Sequence, residues 1–385
     1  LDMKVITTTS VLEDVISTLV KSDFVTVDTE FMRESTYWPQ LCLIQLASPD
    51  IAVVVDPLSN DIDLTSLFEL MKNENVVKVF HAARQDVEII YKLGKVIPVP
   101  LFDTQVAGSV CGFGESVSYE QIVERITGEH IDKSSRYTDW SRRPLNDKQL
   151  SYALADVTHL RDVYKYLKKQ LEKNGRTHWI DDEMSVLTSP KTYIMPNDEA
   201  WKRIKGRIRK PRELAVLQQI AAWREQEAKN RNVPRGRVLK DECLIEIATQ
   251  QPKNEMALAR LRSIPKGWER SSSASELLNA VQVGLSVDTN NLPPIHKHVA
   301  LANGTAAAIE LLRVLLKLVA DEENIAPRII ANNDDLEKIA KQENLVALPA
   351  MEGWRYDIFG KKAQKMLDGH LGFYFQNGKI LTKEI

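Results

Sequence analysis

The chain has 385 residues, enough for two or three domains. Its 51 Lys and Arg against 53 Asp and Glu give a formal net charge of −2, which excludes a uniformly basic nucleic-acid coat, so a phosphate-binding surface must be a local patch. Cys42, Cys111 and Cys243 offer neither a disulfide framework nor a zinc spacing and point to a reducing cytoplasm, while no apolar run approaches the ~20 residues of a membrane span and Leu1-Asp2-Met3-Lys4 opens no signal region.

In chain order, the first informative element is Phe24-Val25-Thr26-Val27-Asp28-Thr29-Glu30, whose β-branched and apolar residues predict a strand. Alternation puts Asp28 and Glu30 on one face. Two like charges on an apolar strand need a compensating cation, although solvation at a strand edge is the plainer reading of the pair taken alone. Two apolar runs, Leu41 to Leu46 and Ile51 to Val55, flank Ser48-Pro49-Asp50 and predict a β-hairpin. A helix is expected over 64–72. The strand Val76 to Phe80 then leads into His81-Ala82-Ala83-Arg84-Gln85-Asp86. Asp86 opens the next helix, where a carboxylate suits the macrodipole. Alone it reads as a cap, and His81 as a turn histidine. Asp103 is a further acid, read as a helix cap or structural partner.

Residues 146–173 read as one long helix, with Asn146 as N-cap and Gln149 as its capping-box partner. Tyr152 and Asp156 are four apart and share a face of it, so a phenol and a carboxylate address one point. A surface Tyr–Asp pair is the plainer reading of that motif alone.

Residues 174–212 change character and end in the densest basic cluster of the chain, Trp201 to Arg212. It suits a phosphate-tracking stripe with Trp201 available for base stacking, against the alternative of a solvated inter-domain linker. The remainder is helical and repeats. Leu217 to Arg224, Pro234-Arg235 and Leu239 to Ala248 recur as Leu315 to Ala320, Pro327-Arg328 and Asn332 to Ala340. Each copy spans roughly 80 residues, too long for a solenoid repeat. His296 and His298 follow Pro293-Pro294 without acidic or cysteine company and read as linker residues, not as a metal site.

Taken together and in this order, the three acidic motifs resemble the DEDD exonuclease superfamily, in its tyrosine-containing branch. The stretches Tyr37-Trp38-Pro39-Gln40-Leu41 and Asp139-Trp140-Ser141-Arg142-Arg143-Pro144-Leu145 extend the resemblance to the bacterial ribonuclease D family. The first helical copy resembles the HRDC domain, a small module of ribonuclease D proteins and RecQ helicases.

The resemblance implies an α/β ribonuclease H-like exonuclease domain over 1–205, followed by two all-α helical HRDC-type domains, 206–290 and a diverged 291–385. It implies two divalent metal ions, Mg or Mn. Asp28 would bridge them, Glu30 and Asp156 would complete the first site, and Asp86 would help to hold the second. Tyr152 would orient the attacking water. Thr29, Phe31 and His81 flank these residues and are candidates to hold the terminal nucleotide. The implied reaction is stepwise 3′–5′ hydrolysis of RNA with a free 3′ end, tRNA precursors above all, releasing nucleoside 5′-monophosphates. A cytoplasmic protein with no membrane association is expected, and no obligate protein partner is inferred.

Two other readings stay open from the residues. A DNA 3′–5′ exonuclease of the repair or proofreading type shares the same four acids. A helical tail directly after the nuclease, with no polymerase or helicase, favours RNA, and matched RNA and DNA strands discriminate. A non-catalytic RNA-binding adaptor is the third, and the intact acids and Tyr152 argue against it.

Overall fold

A computed structural model describes residues 5–295 and 304–385; His296 and His298 fall outside them. The described chain divides into two compact units. One comprises residues 5–30, 43–189 and 304–385, the other residues 31–42 and 190–295.

Up to residue 187 the chain forms β1 (Val5–Ile6), α1 (Thr9–Leu19), β2 (Phe24–Met32), β3 (Gln40–Ala47), β4 (Ala52–Val55), α2 (Thr65–Lys72), β5 (Val77–Phe80), α3 (Arg84–Gly94), β6 (Leu101–Asp103), α4 (Thr104–Val110), α5 (Tyr119–Thr127), α6 (Asp147–Lys173) and α7 (Asp181–Leu187). The sheet order is β1-β4-β3-β2-β5-β6. β3 and β4 form the expected hairpin, with Ala47 opposite Ala52. β2 and β5 run parallel, as do β5 and β6, so their carboxyl ends share one edge, the place where open α/β sheets build sites. The expected capping box of α6 is present, with Asn146 and Gln149 each accepting from the other's backbone N–H.

The second unit carries α8 (Pro211–Arg231), α9 (Arg235–Val238), α10 (Asp241–Gln250), α11 (Glu255–Ala259) and α12 (Ser272–Ser286). Val216, Ile220, Leu244, Ile247, Leu277 and Val281 fill its core. A Cβ on Gly284 would stand 2.6 Å from Val216 Cα, so only glycine lets α12 lie this close to α8. The segment 31–42 adds Tyr37 to this unit. Its hydroxyl donates to the buried Glu225, onto which Arg235 forks at 2.5 and 2.7 Å.

Trp201 packs half-buried against this core, which accounts for a ring otherwise suited to stacking. Arg212 donates to the carbonyls of Gly284, Leu285 and Val287 and so closes the end of α12. Lys205, Arg207, Arg209 and Lys210 remain exposed.

Residues after 304 return to the first unit as α13 (Thr305–Glu323), α14 (Pro327–Ile330), α15 (Asn333–Lys341), α16 (Gly353–Arg355), α17 (Lys361–Leu367) and the strands β7 (Leu371–Gln376) and β8 (Lys379–Glu384). The order of α8 to α10 recurs in α13 to α15. In both copies the long helix ends on a left-handed asparagine, Asn232 or Asn324, and the third on a left-handed glutamine, Gln251 or Gln342. Leu312, Leu315, Val319, Trp354 and Phe359 join Phe24, Val79, Leu160, Val163 and Leu167 in one core. Trp354 stacks on Trp179 at 4.2 Å and 6°. The buried Arg355 bridges Asp182 and Glu183 and donates to Ile329 O.

β7 and β8 are an addition to the all-helical expectation. They form an antiparallel hairpin about Asn377-Gly378, both at positive φ, the conformation that a tight two-residue turn requires.

Candidate active site

Asp28 and Glu30 lie at the carboxyl end of β2, and Asp156 faces them from α6, one turn after Tyr152. Ligand oxygens of Asp28, Glu30 and Asp156 all fall within 4.8 Å of one another. One hydroxyl helps to register the two elements. Thr26, buried on β2, lies 2.8 Å from Val157 O on α6 and 3.1 Å from Ala47 O on β3.

Asp86 arrives from the first turn of α3 and is buried. Thr29 donates its hydroxyl to Asp86 Oδ1 at 2.5 Å. That places Thr29 as an anchor for a site carboxylate. The turn before α3 is braced by Asp103, whose carboxylate accepts from Ala82 N and Ala83 N at 3.1 and 2.8 Å and also from Gln105 N and Val106 N. Asp103 is thus the cap of α4 and a structural partner, and it holds Ala82 in the left-handed region at φ 59°.

The electrostatics follow from burial. Asp28 is pushed well above the usual carboxylate range by burial first, then by Asp86, Asp156 and Glu30. Glu30 is pushed up to about 9 by burial, then by Asp156 and Asp86, with Arg136 opposing. Asp86 and Asp156 are pushed up to about 7, again by burial first. The Thr29 hydroxyl opposes the rise at Asp86, and a hydrogen bond from Tyr152 opposes it at Asp156. Burial and the neighbouring carboxylates also raise the Tyr152 phenol far above its usual range, so it stays a hydroxyl.

The remaining candidates are placed differently. His81 has both ring nitrogens engaged, Nδ1 with Thr104 Oγ1 at 2.9 Å and Nε2 with Val117 O at 3.1 Å, as a satisfied turn histidine would. Burial holds its imidazole below the usual range. Phe31 follows Glu30 on β2 and is half-buried.

An all-oxygen set from three elements, buried and mutually repelling, suits hard divalent cations, which need several negatively charged oxygens and relieve the repulsion. The donor set therefore fits a divalent metal.

A family model described as 3′-5′ exonuclease matches residues 3–172, and one described as HRDC domain matches residues 213–281. The chain is 64% identical over 383 residues to ribonuclease D of Bartonella henselae, covering 100% of this chain and 94% of that protein. It is 50% identical to ribonuclease D of Nitrobacter hamburgensis, covering 99% of this chain and 100% of that one. The crystal structure of Escherichia coli RNase D, described as an exoribonuclease involved in structured RNA processing, superposes with a TM-score of 0.84 at 27% identity, covering 96% of this chain and 100% of that one.

Proposed function

This chain belongs to the ribonuclease D family and is a metal-dependent 3′–5′ exoribonuclease, and on that premise we propose that Asp28, Glu30, Asp86 and Asp156 hold two divalent ions, Mg or Mn, at the 3′ end of an RNA strand. The observation that carries this reading is the meeting of Asp28, Glu30 and Asp156 within 4.8 Å. When bound, two such ions stabilise both the attacking and the leaving oxygen of a phosphodiester displacement.

The chain's own groups do the rest. Asp28, Glu30 and Asp156 would hold one ion, and Asp86, whose charge also reaches Asp28, would help to hold the second. Asp86 is kept aimed by Thr29. Tyr152 keeps its proton and shares Asp156 with the site, so it orients the attacking water as a hydroxyl and does not act as a base. Hydrolysis with a free 3′-hydroxyl terminus then releases nucleoside 5′-monophosphates.

We infer that the natural substrates are 3′ extensions of structured RNA such as tRNA precursors, in line with the structured RNA processing of the Escherichia coli relative. Family membership favours RNA over DNA. A cytoplasmic location goes with such substrates, and among the described residues no helix is long and apolar enough to cross a membrane. The domain reading of 1–205, 206–290 and 291–385 stands as part of this proposal, supported by the HRDC match in the middle segment and by the recurrence of its helix order in the last. The test is release of mononucleotides from a 3′-hydroxyl single-stranded RNA and from matched DNA, with Mg²⁺, with Mn²⁺ and with chelator. Turnover that persists in chelator would sink the metal assignment.

A further inference from the structure

Arg136 lies on the segment between α5 and α6, and several contacts fix where that segment runs. The Gln149 side-chain amide, in the first turn of α6, donates to Thr138 Oγ1 at 3.1 Å. Thr138 in turn donates to Ser135 O through its hydroxyl. Trp140 is buried beside Tyr152, with ring centroids 6.1 Å apart. Ser135 shares the wall of a 260 Å³ cavity with Ser151, Tyr152 and Ala155. The segment therefore runs along the face of α6 that carries Tyr152.

Arg136 extends from that segment to Glu120, with Nη1 3.4 Å from Oε1. Glu120 is in the first turn of α5, and its neighbour Tyr119 donates its hydroxyl at 2.9 Å to Ala155 O, one residue before Asp156. The arginine's own segment thus lies along α6 at Gln149 and Tyr152, and its side-chain end reaches Glu120, beside the Tyr119 that binds Ala155 O. Its charge acts on Glu30, Tyr152 and Asp156 alike, in each case against the neighbouring carboxylates. An ion pair this long, with the arginine side chain 48% exposed, holds it only weakly.

Four clustered carboxylates repel a polyanion as well as one another. A guanidinium beside them offers a planar fork that matches phosphate oxygens. We propose that Arg136 is a substrate-contacting residue that leaves Glu120 to grip the non-bridging oxygens of the terminal phosphodiester, holding that phosphate against the carboxylates from the Tyr152 side. Glu120 is its resting counter-charge in the absence of RNA. The proposal rests on the assignment of the active site above.

The test compares the full-length protein with Arg136→Gln, Arg136→Lys, Glu120→Gln and Asp28→Asn on a short 3′-hydroxyl RNA in Mn²⁺. Arg136→Gln is expected to lower kcat/KM on the order of 10- to 100-fold, the usual span for a hydrogen bond to a charged group, with an unchanged melting temperature. Arg136→Lys recovers part of the loss, and Glu120→Gln raises kcat/KM by freeing the arginine. Inhibition by adenosine 5′-monophosphate weakens in Arg136→Gln, while inhibition by adenosine is the same in both proteins. Equal losses of rate and melting temperature in Arg136→Gln and Glu120→Gln would reduce the pair to a structural brace and overturn the proposal. An inactive Asp28→Asn beside a wild-type-like Arg136→Gln would overturn it while leaving the site assignment standing; an active Asp28→Asn would overturn both.

Discussion

Thr29 and Asp86 are 57 residues apart in sequence, and the hydroxyl of the first donates to the carboxylate of the second at 2.5 Å. The bond ties the end of β2 to the start of α3. It also opposes the burial that pushes Asp86 up to about 7, so it favours the charged, ligating form. Outer partners of this kind set the aim and basicity of the residues that bind metal.

Thr29→Val removes the donor and keeps the shape. The expected loss is about 10- to 100-fold in Mn²⁺ affinity or turnover, with Thr29→Ser close to wild type. A Mn²⁺ titration of both variants checks this, and an unaffected valine variant would return Thr29 to a purely packing role.

Asp28→Asn, Glu30→Gln, Asp86→Asn and Asp156→Asn should each nearly abolish turnover while leaving the chain folded. In chelator their melting temperatures should match or exceed that of the parent, because one of several repelling charges is gone. Single-turnover rates and thermal melts on the same preparations test both halves.

The raised acids also set a pH dependence. In the folded, metal-free chain Asp86 and Asp156 titrate at about 7 and Glu30 at about 9. Unfolded Asp and Glu titrate near 4. Between these values the folded state binds more protons than the unfolded one, so their contribution is fully present below about pH 4 and is lost as pH rises toward 9. A divalent cation takes the place of those protons, so it stabilises more at about pH 8 than at about pH 5. Melting in chelator and in Mn²⁺ at both values measures the effect. A metal-induced shift larger at the lower pH would contradict the linkage.

Tyr152→Phe deletes one hydroxyl and keeps the ring beside Trp140. The rate should fall by roughly 10- to 10³-fold with little change in RNA affinity. Polarity is tested on the parent protein: circular RNA should survive and a 3′-phosphate should block.

Arg355→Ala should be costly at a distance from the chemistry. The side chain is nearly fully buried and joins Asp182, Glu183 and Ile329 O. Removing it strands Glu183, whose Oε2 already lacks a hydrogen-bond partner. A loss of about 3 kcal/mol in denaturant-measured stability is expected.

What could be read from the sequence was what local geometry encodes. Alternation along β2 gave Asp28 and Glu30 one face, and four-residue spacing on α6 paired Tyr152 with Asp156. The Asn146–Gln149 box and the Asp103 cap were legible for the same reason. Thr29's bond to Asp86 was not, because no local period reports a contact across 57 residues. Arg136 also carried no signal, since it lies on a segment without periodicity. The hairpin at Asn377-Gly378 did have one, an Asn-Gly pair between apolar runs, but the preceding helical repeat masked it. The partner of the apolar stripe on α13 was illegible too, because a stripe shows that a helix is buried and not against what.

The core that Phe24 and Val79 share with Leu312, Trp354 and Phe359 has a consequence for synthesis. All the candidate catalytic acids lie before residue 157, yet the apolar core of the same unit is completed only when residues 305–385 emerge. At roughly 5–20 residues per second that interval lasts on the order of ten seconds or more. During it a nascent chain carries the cleaving groups on an unfinished support, beside the very RNA that the ribosome is made of. Nuclease competence is therefore expected only once residues 305–385 have joined this core, and a ribosome-stalled chain ending near Arg212 should be protease-sensitive and inactive.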